Sequence, residues 1–209
     1  MLASLKAVLC LSDPFDACLW AACACAFWGM MRFGEVSVRT RASFSGILHL
    51  KRSNVLSAND LDGVPYARLD LPAAKTAKPG EVQHVFLNAQ TAGLSPLDAL
   101  SNLAQVVPAG ADDPLFSWRD GRGEIRPLVR DAALQRVNGI FVALGLGNTY
   151  GHSFRIGGAS FYLAQGVSPE IVRIAGRWRS LAYETYIRAF EQVSSRHMAD
   201  LPLPGTGAA

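Results

Sequence analysis

Hydrophobic and polar positions divide the chain into three stretches of different rhythm. The first has no polar face at all. Residues 17–31 are fifteen uncharged positions rich in Ala and Cys, and a helix that is apolar on every side belongs inside a core. Asp13-Pro14 supplies its start signal, and the pattern carries the helix to about Arg32 or Glu35. The second stretch alternates with a period of two, the mark of half-buried strands. It predicts β-structure at 36–40, 44–50, 64–71 and 82–87; in the third of these Ala67, Leu69 and Leu71 alternate with Tyr66, Arg68 and Asp70. Lys75-Thr-Ala-Lys78-Pro-Gly80 separates the last two as an exposed hairpin connection.

The remainder has helical spacing. Ser95 caps a helix with Pro96 in its first turn, and a loop rich in Gly, Asp and Pro covers 108–127. Ala133, Val137, Ile140, Phe141 and Leu144 then lie on one stripe of a further helix. After a break at 145–151, a helix starting near His152 carries Phe154, Gly158, Phe161 and Tyr162 on one side. Ser168-Pro169-Glu170 opens a short helix through Ala175, and Gly176-Arg177-Trp178 turns into a last helix bearing Tyr183 and Tyr186. The predicted fold class is α+β, mainly helical, with a small antiparallel sheet.

The 209 residues suit one domain, large enough to bury a core without metals or disulfides. A net charge of +3 is only mildly basic, but its distribution is uneven. Residues 1–110 carry nine Lys or Arg against eight acids, whereas residues 111–209 carry eleven Arg, no Lys and nine acids. Arginine offers planar, two-pronged contacts to phosphate or carboxylate. Cys10, Cys18, Cys23 and Cys25 crowd the N-terminal part with no His beside them, so they are expected as core residues rather than metal ligands or disulfide partners. The apolar run is too short to span a bilayer, which points to an intracellular protein. The Pro/Gly-rich residues 201–209 are expected to form a loose tail.

Four places carry candidate chemistry. Arg32 lies at the end of the most apolar helix, with Glu35 three residues on, where a guanidinium needs an anion or a carboxylate. Taken alone, a simple Arg32–Glu35 pair accounts for it. His152 and Arg155 fall on one face at a helix start, where free backbone N–H groups favour a phosphate oxygen. Lys75 and Lys78 sit on the hairpin connection, as solvated turn residues or as a proton donor for a leaving oxygen. Tyr183 and Tyr186 follow Gly176-Arg177-Trp178, as packing residues or as a nucleophile.

In order, the set is Arg with Glu three later, a hairpin Lys, His-x-x-Arg, Gly-x-Trp and a Tyr eight residues beyond the Trp. It resembles the catalytic domain of the tyrosine recombinases, the phage-integrase-like DNA breaking and rejoining enzymes. The resemblance runs from about Leu19 to Phe190, with His152-Ser-Phe-Arg155-Ile-Gly-Gly-Ala its most specific stretch, Pro72-Ala-Ala-Lys75-Thr matching the lysine hairpin and Tyr186-Ile-Arg188 the nucleophile segment. Within the family it looks most like recombinases of eukaryotic mobile elements, fungal ones especially. The resemblance implies that Tyr186 attacks a DNA phosphate to form a 3′-phosphotyrosyl bond. Arg32 and Arg155 hold its oxygens, His152 hydrogen-bonds the same phosphate, Lys75 protonates the departing 5′-hydroxyl, Trp178 occupies the family's His-or-Trp position, and Glu35 orients its neighbours.

The same resemblance implies double-stranded DNA and further protomers as partners, with neither metal nor small-molecule cofactor and no membrane. Nucleus in a eukaryote or cytoplasm in a bacterium would be the compartment. It makes 1–200 the catalytic domain and implies that the family's N-terminal DNA-clamping domain is not part of this sequence. The Trp178–Tyr186 interval is one residue shorter than the commonest family spacing, which keeps Tyr183 as a second candidate nucleophile. Two other expectations compete: a decayed recombinase fragment, or a DNA-binding module without catalysis. The latter rests on Ala159-Ser-Phe-Tyr-Leu-Ala-Gln-Gly166-Val-Ser-Pro-Glu-Ile-Val, which also resembles a helix-turn-helix.

Overall fold

The computed structural model describes residues 1–73, 82–91 and 93–178. In chain order the elements are α1 (Leu2–Val8), α2 (Pro14–Trp28), β1 (Val55–Asn59), β2 (Pro65–Leu71), β3 (Gln83–Asn88), α3 (Pro96–Val106), β4 (Ser117–Arg119), β5 (Ile125–Pro127), α4 (Arg130–Ala143), α5 (Ser153–Ala164) and α6 (Pro169–Ala175).

The apolar run becomes α2, the axis of the molecule. The Asp13 carboxylate accepts the backbone N–H groups of Phe15 and Asp16 at 3.0 and 2.9 Å, and Pro14 occupies the first turn. Twelve of its fifteen residues are buried, because α3, α5, β3 and β4 surround it. Ala and Cys keep the cylinder thin, which lets those neighbours come close. The closest approach is at Gly158 of α5, where a Cβ would stand 2.0 Å from the Phe27 carbonyl oxygen. Cys18, Cys23 and Cys25 are buried within this core, and burial pushes their thiols up. At its start the buried Asp16 carboxylate takes the Cys10 N–H and both Nε and Nη2 of Arg136, at 3.1 and 2.9 Å, joining α2 to α4. At its other end Trp28 packs edge-on to Phe27 and Phe161 and donates its indole N–H to the Leu94 carbonyl at 2.8 Å.

β1, β2 and β3 form an antiparallel sheet in that order, from Asn59 opposite Pro65 at one end to Leu71 opposite Gln83 at the other. The alternation in β2 holds: Ala67, Leu69 and Leu71 are buried beside Val85 and Leu87, while Arg68, Asp70 and His84 form an ion network on the outer face. Strand β3 follows β2 as a hairpin, and the connection carrying Lys75 lies outside the described residues. Ser95 caps α3 as the pattern predicts, accepting the N–H groups of Leu97 and Asp98. No helix among the described residues is long and apolar enough to cross a membrane.

Several expectations fail for local reasons. Helix α2 stops at Trp28, four residues short of Arg32, because Gly29 and Met30 (φ 45°) turn the chain out of the helix. Residues 36–40 and 44–50 form no strand. There the Ser43 hydroxyl accepts the Thr40 N–H and donates to the Thr40 carbonyl, the Ser45 N–H donates to His49 Nδ1, and only Val38 makes a lone bridge to Val129; side-chain bonds of this kind compete with a ladder. Strand β1 was not expected, and the loop at 108–127 contains the β4–β5 hairpin. Helix α1 adds an unforeseen apolar stripe, burying Leu2 and Leu5. Leu144, placed on the core stripe by its spacing, is exposed just past the end of α4.

The α2–α5 contact yields a direct test. Gly158→Ala forces a methyl into the Phe27 carbonyl, and overpacking of this kind costs about 1–3 kcal/mol or more. Urea unfolding should show a lower midpoint with an unchanged slope, whereas Gly139→Ala, which meets open space on α4, should be neutral or stabilising.

Candidate active site

Three chain turns meet at the C-terminal end of α2. The first is the segment after α2, where Arg32 precedes a 3₁₀ turn at Phe33–Glu35. The second is the start of α5, where His152 stands at the N-cap. The third is the turn after α6, Gly176-Arg177-Trp178. The first two are tied by the Phe33 N–H, which donates to the Gly151 carbonyl at 3.2 Å, and by Phe33 stacked on Phe154. The residues beside Arg32 and His152 are thus bonded to each other.

Arg155 links all three. Its Nη1 donates to the Met30 carbonyl at 2.8 Å and its Nη2 to the Gly176 carbonyl at 2.6 Å. The Trp178 ring lies over the guanidinium, 4.1 Å from its centre, a cation–π contact. That ring fills the space above Gly176, where a Cβ would fall 1.6 Å from it, so the Gly-x-Trp spacing is a packing requirement. Arg155 is 4% exposed.

Arg177 is held by the same neighbourhood. It adopts a left-handed backbone (φ 60°), costly for a residue with a side chain. Its Nη2 donates to Glu35 Oε2 at 2.8 Å and its Nη1 to the Gly29 carbonyl at 3.4 Å. Its buried Nε has no hydrogen-bond partner among the described residues. Glu35 also receives the Arg32 Nη1 at 3.1 Å and the Arg32 backbone N–H at 2.9 Å.

Charge is therefore out of balance. Among the described residues the Arg32 and Arg177 guanidiniums share the Glu35 carboxylate, and Arg155 has two carbonyls and the Trp178 ring but no carboxylate. Burial pulls Arg155 down to about 9, with Arg32 and Arg177 pushing the same way and Glu35 opposing. Burial also lowers Arg177, with Glu35 working against it and Arg32 adding to it. Both stay protonated at neutral pH. The negative end of the α2 dipole offsets part of the excess: its last carbonyls, Trp28, Gly29 and Met30, accept from the Tyr162 hydroxyl, Arg177 and Arg155. A net charge of about +2 remains where the α5 N-terminus also favours anions.

Of the residues anticipated from sequence, the structure brings Arg32, Glu35, Arg155 and Trp178 together. His152 is exposed at the α5 N-cap. Lys75, Tyr183 and Tyr186 lie outside the described residues. The Arg32–Glu35 pair that would account for Arg32 alone is present, but Glu35 serves Arg177 as well. Arg155 is the buried clasp and Arg32, with its side chain 23% exposed, the guanidinium that reaches solvent. Arg177 had been given no role; its one sequence signal was its place between Gly176 and Trp178 in the all-Arg half.

Glu35→Gln leaves three guanidiniums with no carboxylate partner. Removing one side of a buried pair costs about 3–5 kcal/mol, so a fall in Tm of many degrees is expected. Sulfate or phosphate, compared with chloride at equal ionic strength, should raise the Tm of the wild type and restore part of the loss. Equal Tm values in all three salts would mean that the cluster binds no anion.

A scan against protein-family models finds no match, and neither does a search of curated proteins. Solved structures do match. The XerH site-specific recombinase, in a post-cleavage complex with palindromic difH substrate, superposes with a TM-score of 0.64 at 17% identity, covering 96% of this chain and 50% of that one. The FLP recombinase–Holliday junction complex gives 0.54 at 14% identity, covering 88% and 44%, and the Flpe–Holliday junction complex 0.52 at 12%, covering 91% and 44%. The chain spans about half the length of the recombinases it matches. A mainly helical domain with a small antiparallel sheet, and an arginine cluster at the end of its central helix, has the fold of the tyrosine-recombinase catalytic domain.

Proposed function

We propose that this chain breaks and rejoins DNA by strand transfer, acting on double-stranded DNA as the catalytic domain (residues 1–200) of a tyrosine recombinase. The observation that carries the proposal is the cluster in which Arg32, Arg155 and Arg177 gather near Glu35, its one carboxylate among the described residues. A phosphodiester brings negative charge to a site where, among the described residues, three cations face one carboxylate. Preorganised cations aimed at the phosphate oxygens stabilise the charge that builds up in the transition state.

The chemistry then follows from the donors present. The Tyr186 oxygen attacks phosphorus, the bond from phosphorus to the 5′-oxygen breaks, and Lys75 supplies the proton that the departing 5′-hydroxyl needs. His152 hydrogen-bonds the phosphate and assists removal of the tyrosine proton. Arg32 contacts the non-bridging oxygens from the solvent side. Arg155 ties the segments around Met30 and Gly176 together and sets its positive charge beneath the same group. Trp178 has only an indole N–H and does no acid–base work; its ring holds Arg155 flat. The 3′-phosphotyrosyl bond conserves the phosphodiester energy, so an incoming 5′-hydroxyl reverses the step without a nucleotide cofactor. Several protomers working on two duplexes fit this chemistry, which exchanges strands between partners.

The test is incubation with a pool of nicked duplexes of random core sequence, scoring a protein–DNA adduct that survives denaturation. Wild type should form it, Tyr186→Phe should abolish it, and Tyr183→Phe should leave it. Arg155→Lys keeps the charge but loses the two-carbonyl clasp, and should lower the rate about 10²–10³-fold. An adduct that persists in Tyr186→Phe moves the nucleophile elsewhere. DNA binding without any adduct, from every member of the pool, favours a non-catalytic reader built on α5 and α6.

A further inference from the structure

The sheet has a second feature that strand transfer does not use. Helix α3 packs against β3 and leaves the inner face of β1 and the first half of β2 partly uncovered. The result is a cleft of about 830 Å³, within the size range of small-molecule sites. It shares no residue with the arginine cluster. Its lining is mixed: Leu97, Leu100 and Ala104 from α3, Val55 and Ala67 of the sheet and Leu115 form apolar walls over one part of it. Arg52, Ser57, Asn59, Tyr66 and Ser101 supply its polar groups, and Arg52 is the charged one.

Arg52 is the unusual member. It follows the bridge between Lys51 and Pro114, and its backbone N–H donates to the Asp113 carbonyl at 3.0 Å. The chain there is fixed by backbone bonds. The guanidinium is half-buried, yet among the described residues no carboxylate lies within ion-pair distance of it. Its Nη2 makes one long bond, 3.4 Å to Ser117 Oγ, and its buried Nε has no partner. Arg68 and Arg136, by contrast, each grip a carboxylate with Nε and Nη2 together. Burial lowers Arg52, with Cys18 and Asp113 opposing, in keeping with a cation short of a counter-charge.

We infer that this cleft binds a small organic acid, its carboxylate on the Arg52 guanidinium and its apolar body between α3 and the sheet. The apolar walls select against inorganic phosphate and sugar phosphates, which would lose hydration there and bury no hydrocarbon. The guanidinium selects against neutral hydrocarbons of the same length, because it gains a charge-assisted bond only from an anion.

The experiment uses the full chain, ¹⁵N-labelled, titrated with octanoate and separately with octan-1-ol. Octanoate should shift the Arg52 Nε–Hε resonance and the amides of α3 and β1. Octan-1-ol should bind about tenfold more weakly or worse and leave the Arg52 resonance in place. Arg52→Gln should weaken octanoate about tenfold and leave octan-1-ol unchanged, while Arg52→Lys keeps part of the preference for the acid. Ser101→Trp, an exposed position on the cleft wall, should block both ligands with the rest of the spectrum intact. Equal affinity for acid and alcohol, octanoate binding unaffected by Arg52→Gln in a folded protein, or shifts that survive Ser101→Trp would each overturn the assignment.

Discussion

The two bonds from Arg155 to the carbonyls of Met30 and Gly176 hold together parts of the chain that are otherwise unrelated. Each carbonyl follows a helix end, where the last C=O groups lack partners within their own helix. A single planar donor satisfies both and so sets the angle between the end of α2 and the turn after α6. Trp178 on one side of the guanidinium keeps it planar and dry, and Gly176 is the residue that leaves the ring room. Among the described residues, the two non-glycine positions with left-handed backbones, Met30 and Arg177, both flank this clasp. Strain of that kind persists where the surroundings overdetermine it.

Everything else at the site follows from the clasp. Once Met30 and Gly176 are drawn to Arg155, Arg177 is delivered to Glu35, which Arg32 already holds. The cluster is therefore electrostatically unsatisfied by construction. Three buried or half-buried cations against one carboxylate make poor sense as a stability device, since removing ions from water is expensive and each cation repels its neighbours. They make good sense as a receptor for a singly charged, multiply accepting group. The thin, apolar α2 makes this possible: its Ala and Cys side chains let α5 approach closely at Gly158, and that approach puts Arg155 within reach of Met30.

Much of this was legible in the residues. The polar-free run, the β2 alternation and the Ser95 cap are local patterns with local causes, and they appear where expected. The order Arg32, Glu35, Lys75, His152, Arg155, Gly176, Trp178, Tyr186 carried the resemblance to the recombinases; of its described members Arg32, Glu35, Arg155, Gly176 and Trp178 come together, while His152 is exposed at the start of α5. What stayed hidden had other causes. Residues 36–50 look like strands by propensity, but Ser43, Ser45 and His49 use their side chains to bond nearby backbone, and no pattern of hydrophobicity records that competition. The apolar pattern runs past the end of α2, which Gly29 caps and Met30 turns; the Met30 carbonyl is held there by Arg155, 125 residues away.

The chain alone determined which segments are apolar enough to be interior, where helices begin, and which residue types could handle a phosphate. Those properties depend on neighbours within a few positions. The tertiary structure decided how charge is shared, because that depends on distance in space between residues far apart in sequence. Glu35 serves Arg177 from 142 positions away, and a residue read as a spacer between Gly176 and Trp178 thereby becomes part of the cluster. Arg32, which a simple ion pair would explain if taken alone, becomes one of three cations set against one carboxylate among the described residues.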